Sequence, residues 1–237
     1  MRADPTKPGG DELLQALGDI RLIVFDCDGT LIDSQYNIIA AVERVFASIG
    51  LMPPSQEVIR RQVGLSAEAA IVAMLPGAAP DLHQQVISAF HRLRPQLQQR
   101  EKSPEPLYPG ILPLLGQLEH PELFLGIATG KSRSSLLAVL AEHDLTQRFH
   151  TLQTGDRSRG KPHPEMMLRA ISETGLTAAE AVMLGDTTFD MEMARAAGSR
   201  AIGVAWGYHD RNDLERAGAD AVIDHPGDLL SVLRRLD

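Results

Sequence analysis

Two hydrophobic patterns alternate along most of the chain. One is a short, continuous apolar run, typical of a strand buried on both faces of a parallel sheet. The other spaces apolar residues three or four positions apart, as in an amphipathic helix. The first pattern predicts strands at 21–26, 123–129, 151–154, 181–185, 201–204 and 221–223. The second predicts helices near 111–119, 132–143, 164–174, 188–197, 211–217 and 227–235. This alternation favours an α/β fold in which a parallel sheet carries helices on both faces.

A block with only helical patterns follows the first predicted strand. Its helices are predicted from Ser34 onward and near 55–62, 66–75 and 80–99. Because a single buried strand cannot stand alone, the first strand has to join the later sheet. We therefore predict an inserted all-helical domain at 34–104, within a core domain made of 20–33 and 105–237.

Composition adds expectations about partners and compartment. The net charge of −8 argues against nucleic acid or an anionic membrane as the main partner. A single cysteine excludes an intrachain disulfide and fits a reducing compartment. Residues 1–12 are polar and rich in proline and glycine, which predicts a flexible tail without the apolar core of a signal peptide. No window approaches transmembrane length, so we expect a cytoplasmic protein, either monomer or dimer.

Two carboxylates end the first predicted strand. Asp26 and Asp28 flank one residue, and Gly29 and Thr30 follow as a turn. Side-chain alternation predicts that both acids lie on the same side, at the edge where parallel sheets bind ligands. Two carboxylates this close repel each other unless a cation joins them. A solvated strand end followed by an ordinary turn has the same pattern, so this run alone does not establish an active site. The intervening Cys27 is predicted to be a small core residue.

Two later segments could bind an anion. Thr129, Gly130 and Lys131 stand where a predicted strand becomes a helix, so a hydroxyl and free N–H groups would suit a phosphate. Ordinary capping of that helix explains the same residues. Lys161 lies between Gly160 and Pro162, and the proline-rich turn could aim its charge at a phosphate or at paired carboxylates. The alternative for Lys161 is an exposed lysine in a turn.

A second acidic pair follows the strand predicted at 181–185. Asp186 comes directly after this strand, and Asp190 follows four residues later. Carboxylate oxygens suit a hard cation such as Mg²⁺. Capping of the next helix explains either acid separately. It does not explain why acids recur at the ends of several strands.

Four motifs in this order resemble those of the haloacid dehalogenase-like phosphohydrolase superfamily. They are Asp-x-Asp-Gly-Thr at 26–30, Thr-Gly at 129–130, Lys-Pro at 161–162 and Gly-Asp-Thr-x-x-Asp at 185–190. The resemblance extends from about residue 21 to 237. It implies a Rossmann-like core and identifies the helical insertion with the C1-type cap of subfamily IA.

The resemblance also implies a mechanism. Asp26 would be the nucleophile that forms an aspartyl-phosphate, and Asp28 the general acid and then the general base. The implied catalytic residues are Asp26, Asp28, Thr129 and Lys161. The implied phosphate-binding residues are Thr129, Gly130, Lys131 and Lys161. Mg²⁺ would bind Asp26, the backbone carbonyl of Asp28 and Asp186, with Asp190 supporting from nearby.

Within the superfamily, Asp28, the second acid of the first motif, limits the activities that the resemblance allows. Dehalogenating relatives lack this acid and phosphonate-cleaving relatives replace it, so Asp28 argues against both. The sugar-phosphate mutase branch carries a cap arginine after a Gly-Val-Ser stretch, whereas this chain has Ala67 after Gly64-Leu65-Ser66. The stretches 63–66, 155–156 and 203–209 look most like phosphoglycolate phosphatase-type members.

The implied function is a Mg²⁺-dependent phosphatase that hydrolyses small phosphorylated metabolites. Arg60 or Arg61 could bind a substrate carboxylate, which favours 2-phosphoglycolate. The alternatives are a mutase of the beta-phosphoglucomutase type and a non-catalytic regulatory protein on the same scaffold.

Overall fold

The computed structural model describes residues 10–99 and 105–236. Its six strands form one parallel sheet with the order β3-β2-β1-β4-β5-β6. The strands are β1 Leu22–Phe25, β2 Phe124–Thr129, β3 Thr151–Thr154, β4 Ala181–Gly185, β5 Arg200–Val204 and β6 Ala221–Ile223. Each bound lies within one residue of its prediction, and the parallel sheet is confirmed.

Helices connect the strands and cover the sheet. They are α1 Gly10–Leu17, α2 Gln35–Ala47, α3 Gln56–Arg60, α4 Ala67–Met74, α5 Pro80–Gln99, α6 Ile111–Gln117, α7 Arg133–Glu142, α8 Glu165–Thr174, α9 Thr188–Ala197, α10 Arg211–Arg216 and α11 Leu229–Leu236. Short 3-10 helices at Ala178–Glu180 and Pro226–Asp228 precede β4 and α11. In the part of the chain that the structure describes, no helix combines the length and apolar character needed to cross a membrane.

The prediction of a flexible tail over residues 1–12 is wrong at its last three residues. Gly10 begins α1, whose Leu13 and Leu17 are buried and pack in the core together with residues of α11. Residues 1–9 lie outside the described residues. An eight-residue helix has little stability of its own, so it forms here because packing stabilises it, and a local sequence pattern does not reveal that packing.

Alternate side chains of β1 enter two separate cores. Ile23 and Phe25 face the cluster built with α1, α6, α7 and α11, whereas Leu22 and Val24 face the cluster built with α8, α9 and α10. Helices therefore cover both faces, as predicted. This double burial explains why the strand is a continuous apolar run.

The four helices that follow β1 bury a hydrophobic cluster of their own. Its most enclosed members include Phe46, Ile59 and Val86 from α2, α3 and α5. We refer to α2–α5 as the cap and to the sheet with its helices as the core. The domain boundaries at 34 and 104 stay a prediction, and residues 100–104 lie outside the described part.

The central position of β1 determines the site. Phe25 is paired with Ile127 of β2 on one side and with Leu184 of β4 on the other. The chain leaves β1 toward β2 and β3, then crosses back to β4, so the strand order reverses at β1. Open parallel sheets bind ligands beyond the carboxyl ends of strands at such a reversal.

Removing the ring of Phe25 should destabilise the core strongly. This ring is fully buried and makes an edge-to-face contact with Phe149 at 6.2 Å between centroids. Phe25→Ala should lower the free energy of unfolding by about 3–5 kcal/mol through lost burial and a residual cavity. Urea unfolding followed by circular dichroism measures the change. Met52→Ala is the control, because Met52 is 88% exposed; a similar cost for both variants would contradict the prediction.

Candidate active site

The structure brings the predicted acids and Lys161 together beyond the sheet. Asp26 directly follows β1, and Asp186 directly follows β4. Thr129 is the last residue of β2. Asp26, Asp28, Thr129, Lys161, Asp186 and Asp190 are all buried. A solvated strand end is therefore excluded as the explanation for Asp26 and Asp28.

Lys161 lies between two carboxylates. Its Nζ is 2.8 Å from Asp26 Oδ1 and 2.6 Å from Asp190 Oδ1, and all three side chains are fully buried. Burial opposes the charge on Lys161, but the carboxylates of Asp190 and Asp26 raise the pKa of this lysine above its usual value. The alternative of an exposed lysine is wrong. Lys161 is a permanently charged group inside the site.

Asp26, Asp186 and Asp190 form a buried acidic cluster. One carboxylate oxygen from each lies within 4.8 Å of the others. Burial, reinforced by Asp190 and opposed by Lys161, raises the pKa of Asp26 to about 7. Burial also raises the pKa of Asp186 well above its usual range, with Asp26 and Asp190 adding repulsion. Three carboxylates against one ammonium leave an excess of negative charge that a divalent cation would neutralise.

One carboxylate oxygen of Asp26 has neither a hydrogen bond nor an ion pair among the described residues. Asp26 Oδ1 accepts hydrogen bonds from the Cys27 N–H at 2.6 Å and faces Lys161. The other oxygen, Oδ2, is buried and has no hydrogen-bond partner among the described residues. An orphaned buried carboxylate oxygen beside two further carboxylates fits the ligand set of a hard cation. The residues present thus fit a divalent metal.

Neighbouring loops hold Asp186 in place. Its Oδ1 accepts a hydrogen bond from Thr30 Oγ1 at 2.8 Å, and its Oδ2 accepts one from the Tyr208 N–H at 2.9 Å. Gly29 has φ +84°, and a Cβ there would lie 2.2 Å from Asp186 Oδ2. Only glycine therefore allows this turn to pass so close to the acid.

Asp190 caps a helix and also contacts Lys161. Its Oδ2 accepts hydrogen bonds from the Thr187 N–H and Oγ1 at 3.0 and 2.7 Å, which completes a capping box at α9. Its Oδ1 faces Lys161. Asp190 thus fixes both the helix and the lysine, whereas Asp186 is not the N-cap, since Thr187 occupies that position.

The Asp28 carboxylate is separate from the acidic cluster. Ser34 Oγ donates a hydrogen bond to Asp28 Oδ1, and Lys131 Nζ pairs with the same oxygen. Asp28 is nevertheless an electrostatic neighbour of Asp26, and Cys27 between them lies in the hydrophobic core. The expectation that both acids share one side stays a prediction. A metal contact through the Asp28 backbone carbonyl stays a prediction.

Lys131 is held by a residue that the sequence analysis missed. Its Nζ is 3.9 Å from Glu105 Oε2, while Glu105 Oε1 accepts a hydrogen bond from Asn37 Nδ2 of the cap at 2.8 Å. Glu105 is buried although it lies beside Pro106 in a predicted linker. The available signal was an acid between two prolines. Ser34 was also missed as a site residue, whereas Tyr208 belongs to the stretch 203–209 that the sequence analysis singled out. The hydroxyl oxygens of Ser34 and Tyr208 are 3.5 Å apart.

The turn at Thr129 and Gly130 contacts the cap. Ser132, and not Thr129, caps α7, and Thr129 Oγ1 accepts a hydrogen bond from the Lys131 N–H at 3.2 Å. A Cβ on Gly130 would lie 2.2 Å from the Leu65 carbonyl oxygen. Glycine at 130 thus allows the cap backbone to lie close to this turn. The roles assigned to Thr129, Gly130, Lys131 and Lys161 in substrate binding stay predictions.

Several other residues occupy structural positions. Cys27 lies in the hydrophobic core as predicted, and burial raises the pKa of its thiol. Arg61 lies 3.5 Å from both Asp210 and Asp213 of the core, and Arg60 Nε donates to Gln35. Neither arginine lines a cavity beside Asp28, so the suggestion that they bind a substrate carboxylate is not supported.

Two cavities meet at Gly130 and Lys131. The apolar cavity, of about 210 Å³, lies among the cap helices and reaches Asp28. It is lined mainly by aliphatic side chains such as Ile38, Val42 and Ile71. The polar cavity, of about 480 Å³, lies between the cap and the core. Its charged lining residues are Arg44, Glu68, Arg94, Glu105, Lys131 and Asp156.

The chain is similar to known phosphatases over most of its length. It is 30% identical to an N-acetylmuramic acid 6-phosphate phosphatase from Pseudomonas aeruginosa, covering 91% of this chain and 96% of the relative. It is 31% identical to a phosphoglycolate phosphatase from Synechococcus elongatus, covering 92% of this chain and 99% of the relative. These relatives indicate that the chain is a phosphatase.

Its fold is also that of a solved enzyme. A haloacid dehalogenase-like hydrolase from Bacteroides fragilis matches with a TM-score of 0.80 at 26% identity, covering 89% of this chain and 99% of that one. Residues 23–204, which include all four motifs, match the family model described as haloacid dehalogenase-like hydrolase. The chain therefore belongs to the haloacid dehalogenase-like hydrolase family.

Proposed function

We propose that this protein is a Mg²⁺-dependent phosphatase that hydrolyses small phosphorylated metabolites through an aspartyl-phosphate on Asp26. The observation that carries the proposal is the buried acidic cluster with Lys161 inside it and Asp26 Oδ2 unpartnered among the described residues. If the acidic cluster had only a structural role, repulsion among its carboxylates would destabilise the fold and serve no purpose. The phosphatase relatives support the same reaction class.

The first half-reaction would form the aspartyl-phosphate. A carboxylate oxygen of Asp26 attacks the phosphorus, and the bond from phosphorus to the leaving oxygen breaks. Asp28 donates a proton to that oxygen, so the product leaves as a neutral alcohol. In the second half-reaction Asp28 takes a proton from the water that attacks phosphorus. Inorganic phosphate leaves and the Asp26 carboxylate is restored.

The surrounding residues fit these two tasks. Lys161 supplies fixed positive charge beside Asp26, where charge develops on the transferring phosphoryl oxygens. Lys131 and Ser34 hold the Asp28 carboxylate, which also lines the apolar cavity. Asp26, Asp186 and Asp190 would hold Mg²⁺, which when bound supplies charge neutralisation for the attacking carboxylate and the phosphate.

Two alternatives are less well supported. A mutase needs a fixed cationic clamp at the position of Ala67, and this residue lines both cavities without offering a charge. A regulatory protein without activity has no need for Asp26, Asp28, Lys161 and Asp186 together. We also propose a cytoplasmic location with neither nucleic acid nor membrane as a partner.

Magnesium should be required for activity and should stabilise the fold. We expect phosphate release from p-nitrophenyl phosphate to stop with chelator and to return with Mg²⁺. Because Mg²⁺ binds only the native cluster, a concentration of 100 times Kd should add about 2.7 kcal/mol of stability. Thermal unfolding with increasing Mg²⁺ measures this effect. Asp186→Asn should lose most of the Mg²⁺-induced rise in Tm, whereas Asp224→Asn at an exposed position should keep it; full activity after metal removal would refute the requirement.

Asp26→Asn should abolish turnover and yet stabilise the metal-free protein. The amide is a poor nucleophile, and it keeps an oxygen acceptor for the Cys27 N–H and for Lys161. The pKa of Asp26 rises from 3.8 to about 7 on folding. The native state therefore binds more protons than the unfolded state between these values, and its stability falls as the pH rises from about 4 to 7.

The Asn variant escapes this loss. At pH 8 without metal its Tm should exceed that of the wild type by about 2–4 °C for each kcal/mol recovered, and the difference should shrink toward pH 4. Scanning calorimetry across this pH range measures both trends. Asp19→Asn, at an exposed position, should show neither. Near-normal turnover by Asp26→Asn would exclude covalent catalysis at this residue.

The reaction should be hydrolysis and not isomerisation. We expect glucose 1-phosphate, offered with a trace of glucose 1,6-bisphosphate, to yield free phosphate and little glucose 6-phosphate, because position 67 carries no clamp. Enzymatic detection of glucose 6-phosphate beside a phosphate assay separates the two products. Rapid isomerisation with little phosphate release would favour the mutase instead.

A further inference from the structure

The polar cavity contains two arginines that the proposed chemistry does not use. Arg44 projects from α2 and Arg94 from α5, and both line the cavity together with Gly130 and Lys131 of the phosphate-binding turn. Both are half-buried. A pair of cations in a cavity that opens from the phosphate site points to a ligand group of opposite charge.

The acids in this cavity are already bonded. Glu68 pairs with His91 at 3.2 Å, and Glu105 accepts from Asn37. Asp156 Oδ1 accepts from the Arg133 N–H at 3.0 Å and from Thr154 Oγ1 at 2.7 Å.

The two arginines differ from these acids. Arg94 is an electrostatic neighbour of Asp156. Within residues 10–99 and 105–236, the side chains of Arg44 and Arg94 neither donate a hydrogen bond nor form an ion pair. Each carries five N–H donors in a planar fork that matches a carboxylate or phosphate. The acids of this cavity therefore have protein partners, whereas the guanidinium groups of the two arginines hydrogen-bond no described residue.

The spacing along α2 gives the length that a ligand needs to extend from Lys131 to Arg44. Asn37 marks the end of α2 near Glu105 and Lys131, and Arg44 lies two helical turns further on. At 1.5 Å per residue this separation is about 10 Å along the helix. In 2-phosphoglycolate a single methylene separates the ester oxygen from the carboxylate, so this molecule is too short to span it. The cavity that Asp28 itself lines is the apolar one, which offers no arginine to a carboxylate.

We propose that the polar cavity binds a second anionic group of the substrate through Arg44 and Arg94. The substrate class is then a phosphomonoester of an extended acid, of about the length of a six-carbon sugar acid. Asn37, Ser66 and Ser132 line the same cavity and suit the hydroxyl groups of such a molecule. The proposal rests on the proposed phosphatase function and specifies its substrate.

The test compares phosphate esters that differ at their far end. Glucose 6-phosphate and 6-phosphogluconate share the phosphate and chain length, but only the second carries a carboxylate. The value of kcat/KM for 6-phosphogluconate should exceed that for glucose 6-phosphate by about tenfold or more, as a charge-assisted hydrogen bond contributes. Fructose 1,6-bisphosphate shows whether a second phosphate is accepted in place of the carboxylate.

Arg44→Gln and Arg94→Gln should each lower this ratio about tenfold, and Arg44→Lys should restore part of it. The ratio cancels any general loss of activity or folding in a variant. Arg92→Gln is the matched control, because it removes the same charge from the exposed side of α5. A ratio near one in the wild type, or a ratio unchanged in both Gln variants, would overturn the proposal.

A binding measurement tests the second anion site independently of the proposed phosphatase function. Calorimetric titration of the Asp26→Asn variant with 6-phosphogluconate and glucose 6-phosphate measures the preference for the acid without turnover. A lack of any Mg²⁺-dependent hydrolysis of p-nitrophenyl phosphate by the wild type would overturn the phosphatase function alone. Equal affinities for the two ligands would overturn the second anion site.

Discussion

Repulsion among buried carboxylates is the constraint on which this structure depends. Asp26, Asp186 and Asp190 are placed within contact distance by the parallel sheet, and Lys161 compensates only part of their charge. Burial without full compensation costs stability, as the raised pKa of Asp26 shows. The two hydrophobic cores on either face of β1 have to offset that cost. The same imbalance favours a divalent cation, so in the proposed function the destabilising feature would also be the functional one.

The cap contacts the core through residues beside the chemistry. Gly130 accommodates the Leu65 carbonyl, and Glu105 joins Asn37 of the cap to Lys131. At the other side, Arg61 of the cap lies near Asp210 and Asp213 of the core. Both segments that connect the cap to the core also carry polar groups of the site, Ser34 on one and Glu105 on the other. Cap position and the placement of Asp28 and Lys131 are therefore coupled by direct contacts.

Sequence patterns predicted most of the fold because the strands are buried on both faces. Such strands are continuous apolar runs, and their bounds differ from prediction by at most one residue. Packing between distant segments was less accessible, since α1 is too short to be stable by itself. In the site, acids at strand ends were predictable, but the burial of Glu105 and its approach to Lys131 depend on packing between distant segments. The contacts of Arg61 with Asp210 and Asp213 were also not predictable, because they join the cap to a distant segment of the core.

The division between core and cap explains how one phosphate site can serve a specific substrate. The ionic groups assigned to the proposed reaction are engaged with one another, Lys161 with Asp26 and Asp190, and Lys131 with Asp28. In the proposed function, such a site would recognise the phosphate that every phosphomonoester shares and would discriminate poorly between leaving groups. Discrimination then has to come from contacts far from the reacting centre, whose binding energy positions the substrate for attack. Arg44 and Arg94 are the cations with donors available for that purpose in the described part of the polar cavity.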